Sequence, residues 1–83
     1  MFRTLVKTEA LTVEDRTFSI RYFEQRTARG ARRYSAEILL GPRDRIILDD
    51  DSVATLEARA ARLVPATLYS RTLAALSSRE TAA

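Results

Sequence analysis

The 83-residue sequence predicts an α+β fold, an antiparallel β-meander of three or four strands with a C-terminal helix, kinked or broken at Pro65, packed on one face. Three observations carry this expectation. Residues 17–25 and 33–40 alternate apolar and polar side chains with the two-residue period of half-buried strands. The connections between these runs and their neighbours are too short for parallel crossovers, so successive strands pair antiparallel. From Val53 onward the apolar positions switch to helical spacing, behind a run of residues suited to capping.

The first segment, LVKTEALTV at 5–13, is compatible with two periods. Alternation puts Leu5, Lys7, Glu9, Leu11 and Val13 on one side; a helical reading groups Phe2, Leu5, Val6, Ala10 and Val13. Its two threonines, Thr8 and Thr12, favour a strand. The second segment, TFSIRYFEQ, sets Phe18, Ile20 and Tyr22 against Ser19, Arg21 and Phe23. A loop, RTARGARR, follows, in which Gly30 supplies the positive φ that a hairpin turn demands. The return strand, RYSAEILL at 33–40, places Tyr34, Ala36, Ile38 and Leu40 together. GPRD then reads as a turn with proline at its second position, and residues 45–48 form the last strand.

Asp51 or Ser52 is the expected N-cap, with Asp49 and Asp50 adding negative charge near the positive end of the helix dipole. Three consecutive aspartates also suggest a divalent-cation site, but adjacent side chains point different ways and no second acidic cluster completes a shell, so capping is the better account. Leu56, Ala60, Leu63 and Val64 form the helix's apolar stripe. Pro65 lacks an amide hydrogen and is expected to end or kink it. Leu68, Tyr69, Thr72, Leu73 and Leu76 continue the helical spacing. Residues 1–76 thus read as one domain, and 77–83, which lack an apolar anchor, as a disordered tail.

Composition narrows function more than it names it. Without cysteine or histidine there is no thiolate nucleophile, no disulfide and no imidazole base or ligand. The two glycines make no phosphate-cradling loop, and Glu24 and Glu37 fall on opposite strand faces. The chain therefore reads as no enzyme, with no catalytic, metal or cofactor-binding residue to assign. No apolar run approaches the roughly 20 residues of a membrane span, which suggests a soluble, cytoplasmic protein with no membrane partner. A core this small often gains support from self-association, so a homodimer is a natural expectation.

The positive charge is concentrated in the middle of the chain. Residues 16–45 hold eight arginines against Glu24, Glu37 and Asp44, a net +5, whereas the flanks are each −1. If the helix covers the Phe18/Ile20/Tyr22 face, the other face carries Arg21, Phe23, Arg33, Glu37, Leu39, Arg45 and Ile47. Arginine pairs bidentately with phosphate and carboxylate, and an exposed aromatic ring offers a stacking surface for bases. Arg21, Phe23, Arg29, Arg32, Arg33 and Arg45 are accordingly the candidate contacts to nucleic acid. The same residues would serve a protein partner, as in an adaptor, an antitoxin-like protein or an inhibitor. Arg59 and Arg62 lie one turn apart on the helix with no acid three or four positions away, and so face water or a partner.

A meander followed by a helix broadly resembles the single-strand-binding transcriptional coactivator fold. The stretch IILDDDSVATLEARAARL, 46–63, resembles the last strand and capped helix of partial RNase-H-like antitoxins. A strand leading into a capped helix is common to many folds, and a fold likeness alone does not assign function.

Overall fold

The computed structural model describes the backbone of residues 3–82 and the side chains of residues 3–77. Among them lie four strands, β1 (Arg3–Val13), β2 (Arg16–Arg26), β3 (Arg32–Gly41) and β4 (Asp44–Asp50), and one helix, α1 (Val53–Ala82). The strands pair antiparallel in the order β1-β2-β3-β4. The chain is the α+β meander-and-helix fold that its periodicity predicts.

Each turn has a local cause. Glu14 and Asp15 join β1 to β2 as a two-residue hairpin, both with positive φ (48° and 67°). That backbone matches the twist of the flanking strands, but L-residues other than glycine enter it at a cost. Between β2 and β3, Gly30 takes φ 82°. The loop closes through Thr27 N–H donating to Ala31 O (2.8 Å) and Gly30 N–H to Thr27 O (2.9 Å). Pro42 and Arg43 turn β3 into β4, with a register irregularity between Leu39 and Gly41.

The core forms where one sheet face meets the helix. Phe18, Ile20 and Tyr22 from β2, Ala36, Ile38 and Leu40 from β3, and Leu48 from β4 pack on Leu56, Ala60 and Val64 of α1. The predicted strand faces and helix stripe meet as read. Helix α1 lies chiefly across β3 and β4. β1 is held at the margin, and the Lys7 ammonium reaches across to Glu57 of α1.

Two expectations need correction. A register shift between Leu5 and Lys7 interrupts the alternation of β1. Leu5 pairs with Phe23 while Lys7 pairs with Tyr22, so Leu5 turns to the face opposite Lys7, Glu9 and Leu11. The extra residue, Val6, is a bulge of the kind common at sheet edges. The helix, second, does not end at Pro65 but runs through it. Pro65 and Ala61 are both exposed, so the Ala61 carbonyl, deprived of its usual donor, is open to water. Beyond residue 76 the helical backbone continues to Ala82; Ala83 lies outside the described residues.

Ser52 is the N-cap. Its Oγ accepts a hydrogen bond from Thr55 N–H at 3.1 Å and donates to Thr55 Oγ1 at 2.9 Å. The three preceding aspartates diverge. Arg33 takes Asp49 (3.1 Å) and Asp51, while Arg59 takes Asp50 (3.1 Å) and the Asp49 carbonyl (2.9 Å). Arg59 thus ties the first turns of α1 back to the end of β4.

Candidate binding face of the sheet

Pairing registers decide which side chains share the uncovered face. Arg21 stands opposite Thr8 on one side and Glu37 on the other; Glu37 in turn stands opposite Ile47. Phe23 lies between Leu5 and Ser35, and Ser19 and Leu39 lead to Arg45. The face is therefore the one that alternation assigned to Arg21, Phe23, Arg33, Glu37, Leu39, Arg45 and Ile47, with Arg3 and Leu5 added from β1.

Glu37 is its centre. The side chain is only 3% exposed and accepts a hydrogen bond from Arg21. Arg3 and Arg45 stand 3.7 and 3.8 Å from its other oxygen. The hydrogen bond from Arg21, and then the positive charges of Arg21, Arg45 and Arg3, hold its carboxyl below the ordinary value of 4.5 against the opposing effect of burial. Glu37 is thus a carboxylate at neutral pH. Three guanidinium charges share that one carboxylate, which leaves a local excess of +2. All three guanidinium side chains remain between 44% and 62% exposed.

Phe23 does not lie open as a stacking platform. It is 9% exposed, because the Arg3 guanidinium lies over its ring at 4.0 Å and Arg21 approaches at 6.0 Å. A cation over an aromatic face is attracted by the ring's negative quadrupole, so β1 brings its own lid to the ring. Arg3 was not singled out from the sequence. Only the β1 register, with its bulge, reveals that it belongs here. Arg21 and Arg45 are on the face as expected.

The hairpin arginines divide into two groups. Arg33 is engaged by Asp49 and Asp51, with its own pKa raised, first by the hydrogen bond to Asp49. It is a strut between β3 and the start of the helix rather than a free contact. Arg32 lies 3.6 Å from Glu24 and stays 61% exposed. Arg26 and Arg29, both exposed, have no ion pair among the described residues. At the opposite end of the face, Arg43 joins Arg21, Leu39 and Arg45 around a shallow depression of about 350 Å³ with Glu37 at its floor.

Leu5 and Ile47 also lie open on this face, more than half exposed, and Leu39 is partly so. Among the described residues there is no group of acidic side chains arranged to hold a metal ion, and no helix is long and apolar enough to cross a membrane.

No protein-family model, curated protein or solved structure matches this chain. The likenesses drawn on residues 46–63 therefore lend no function, and a functional reading has to rest on the residues themselves.

Proposed function

We propose that this protein is a small, non-enzymatic, cytoplasmic binding module that holds nucleic acid through its open sheet face and the hairpin between β2 and β3. One observation carries the reading. Arg3, Arg21 and Arg45 gather on a single buried carboxylate and leave a net +2 on a half-exposed surface. Glu37 orders the guanidinium groups without neutralising them, so they are held in place before a phosphate arrives. Such preorganisation reduces the ordering cost of binding.

Arg29 and Arg32, at the hairpin, extend the positive surface beyond the sheet. With Phe23 capped, its role passes to the exposed plane of Arg3, since bases stack on arginine planes as well as on aromatic rings. The backbone contacts are sequence-independent, and single strands suit the flat face best, because their bases are free to lie against it.

A second reading has its own support. Leu5 and Ile47 stand open beside the arginines, a mixture that suits a protein partner whose acidic groups meet the guanidiniums around an apolar centre. Fluorescence anisotropy of labelled single-stranded and duplex oligonucleotides separates the two. Nucleic-acid binding is expected to weaken log-linearly with salt, and replacing Arg29 and Arg32 by alanine should weaken it further. Absence of binding to either oligonucleotide at low salt sinks the nucleic-acid reading and leaves the protein partner.

A further inference from the structure

Pro42 and Arg43 close one end of the open sheet face, and the depression beside them gathers charge from three elements. Arg21 enters from β2, Arg45 from β4 and Arg43 from the turn itself, around a volume of about 350 Å³. That volume lies at the small end of ligand pockets. It equals the share of about a dozen liquid waters, at ~30 Å³ each, which is room for a phosphate group and the sugar that carries it.

The charges there do not cancel. One oxygen of Glu37 is taken by Arg21, and the other lies 3.8 Å from Arg45 and 3.7 Å from Arg3. Asp44, the second acid at the rim, is turned to Arg71 of α1. Arg43 is exposed and has no ion pair among the described residues. Three guanidinium groups therefore line the depression against one available carboxylate, an excess of +2. Arg21 stands opposite Glu37, and Leu39 opposite Arg45, so two of the three cations ride on paired backbone.

An excess of two charges matches a phosphate monoester better than a diester. An internal phosphate of a nucleic acid carries one negative charge, whereas a monoester carries about −1.5 to −2 at pH 7. Its three free oxygens also suit the forked donors of several guanidiniums. The place fits an end as well as the charge does. The depression lies where the sheet stops, at the 42–43 turn, and there a strand laid along the face would begin or finish.

We propose that this depression is a subsite for the terminal phosphate monoester of a single-stranded nucleic acid, with Arg43 as the residue that distinguishes such an end from an internal diester. The inference rests on the nucleic-acid reading of the face and adds an anchored terminus to it.

The ligand sets the pH dependence of this subsite. The charged groups around it are Arg3, Arg21, Glu37, Arg43, Asp44 and Arg45, and the chain has no histidine. Arginine and carboxylate side chains do not ordinarily titrate between about pH 5.5 and 7.5, and Glu37 is held below 4.5. The monoester does titrate there, with a second pKa of about 6.

The test is fluorescence anisotropy with homothymidine strands of one length. They are compared with and without a 5′-phosphate, and separately with and without a 3′-phosphate, each labelled at the other end. At low salt and about pH 7.5 the phosphorylated strand should bind roughly tenfold tighter than its hydroxyl counterpart, the gain from one further charge-assisted contact. The end that shows the preference is the end bound. The ratio should narrow at about pH 5.5. Arg43→Gln, at an exposed turn position and checked for folding by circular dichroism, should bring it close to one. Arg29→Ala with Arg32→Ala should weaken both strands and preserve the ratio. Strands that bind equally whatever their ends overturn the subsite and leave the wider reading of the face standing. So does a preference that survives Arg43→Gln or ignores pH. Binding of no strand at all overturns both.

Discussion

Glu37→Gln separates stability from binding more sharply than any other single change in this protein. The substitution keeps the size of the side chain and one acceptor oxygen, but removes the charge that Arg3, Arg21 and Arg45 share. A hydrogen bond to a charged group is worth about 1.5–3 kcal/mol. The arginines here are half-exposed and screened by water, which places the loss at the lower end, about 1–2 kcal/mol. For a domain of this size each kcal/mol moves the melting temperature by about 4–8 °C, so calorimetry should show a fall of roughly 5–15 °C.

The pH dependence gives this prediction a second readout. Because the folded pKa of Glu37 lies below its ordinary 4.5, its contribution is complete above the unfolded value and is lost as pH falls through the folded one. The gap in melting temperature between wild type and Glu37→Gln should therefore be widest near neutrality, begin to narrow as pH falls below 4.5, and close only below the lowered folded pKa. Binding carries the mark of both changes: the face gains one net positive charge, but Arg3, Arg21 and Arg45 lose the carboxylate that holds them in place, so affinity should become more sensitive to salt while the benefit of preorganisation is lost. Its log–log salt slope should steepen by about 0.7 on single strands, the increment for one further phosphate. A variant as stable as wild type at neutral pH, or one whose salt slope is no steeper than that of wild type, would refute the idea that Glu37 organises a net-positive face.

Other substitutions probe the remaining parts. Arg29→Ala with Arg32→Ala should leave the stability within about 0.5 kcal/mol of wild type, as for surface changes generally, yet weaken oligonucleotide binding in anisotropy titrations. Arg33→Ala should instead lower thermal stability, since it releases Asp49 and Asp51 beside the helix start. Glu14→Asn with Asp15→Gly suits the positive φ at both turn positions; it should stabilise the chain by about 1 kcal/mol in denaturant titration, through relief of left-handed backbone strain. Ser52→Ala removes the acceptor for Thr55 N–H and should cost about 1 kcal/mol in the same assay.

Strands β2, β3 and β4 were legible because one face of each is buried. Burial at every second residue writes a two-residue period into the sequence, and the side chains that alternation put inward, from Phe18 to Leu48, are the core. β1 was not legible in the same way. It is an edge strand whose side chains are exposed or at most half-buried, so little selects for period there, and the bulge at Val6 shifts its faces partway along. The site suffered from that ambiguity. Arg21 and Arg45 could be placed from β2 and β4 alone, but the capping of Phe23 by Arg3 depends on a long-range register that local pattern does not reveal.

The junction between β4 and α1 shows a related limit. The sequence named Asp51 or Ser52 as the cap, and either side chain is chemically suited. What settled the matter is Arg33, eighteen residues earlier, which engages Asp51 while Ser52 bonds to Thr55 N–H. The partner of Arg59 was missed for the same reason. Spacing along a helix finds partners within one turn, whereas Asp50 lies in the preceding strand.

The central claim is that ordered, half-exposed guanidinium groups on the open sheet face bind the phosphates of a nucleic acid. It is tested most directly by measuring the affinity of the wild-type chain for a labelled single-stranded oligonucleotide at a series of salt concentrations. The expected result is a straight line in log Kd against log salt with a slope of about 2–3, corresponding to three or four neutralised phosphates. Binding that is absent at low salt, or that hardly responds to salt, would contradict the claim and assign the face to a protein partner.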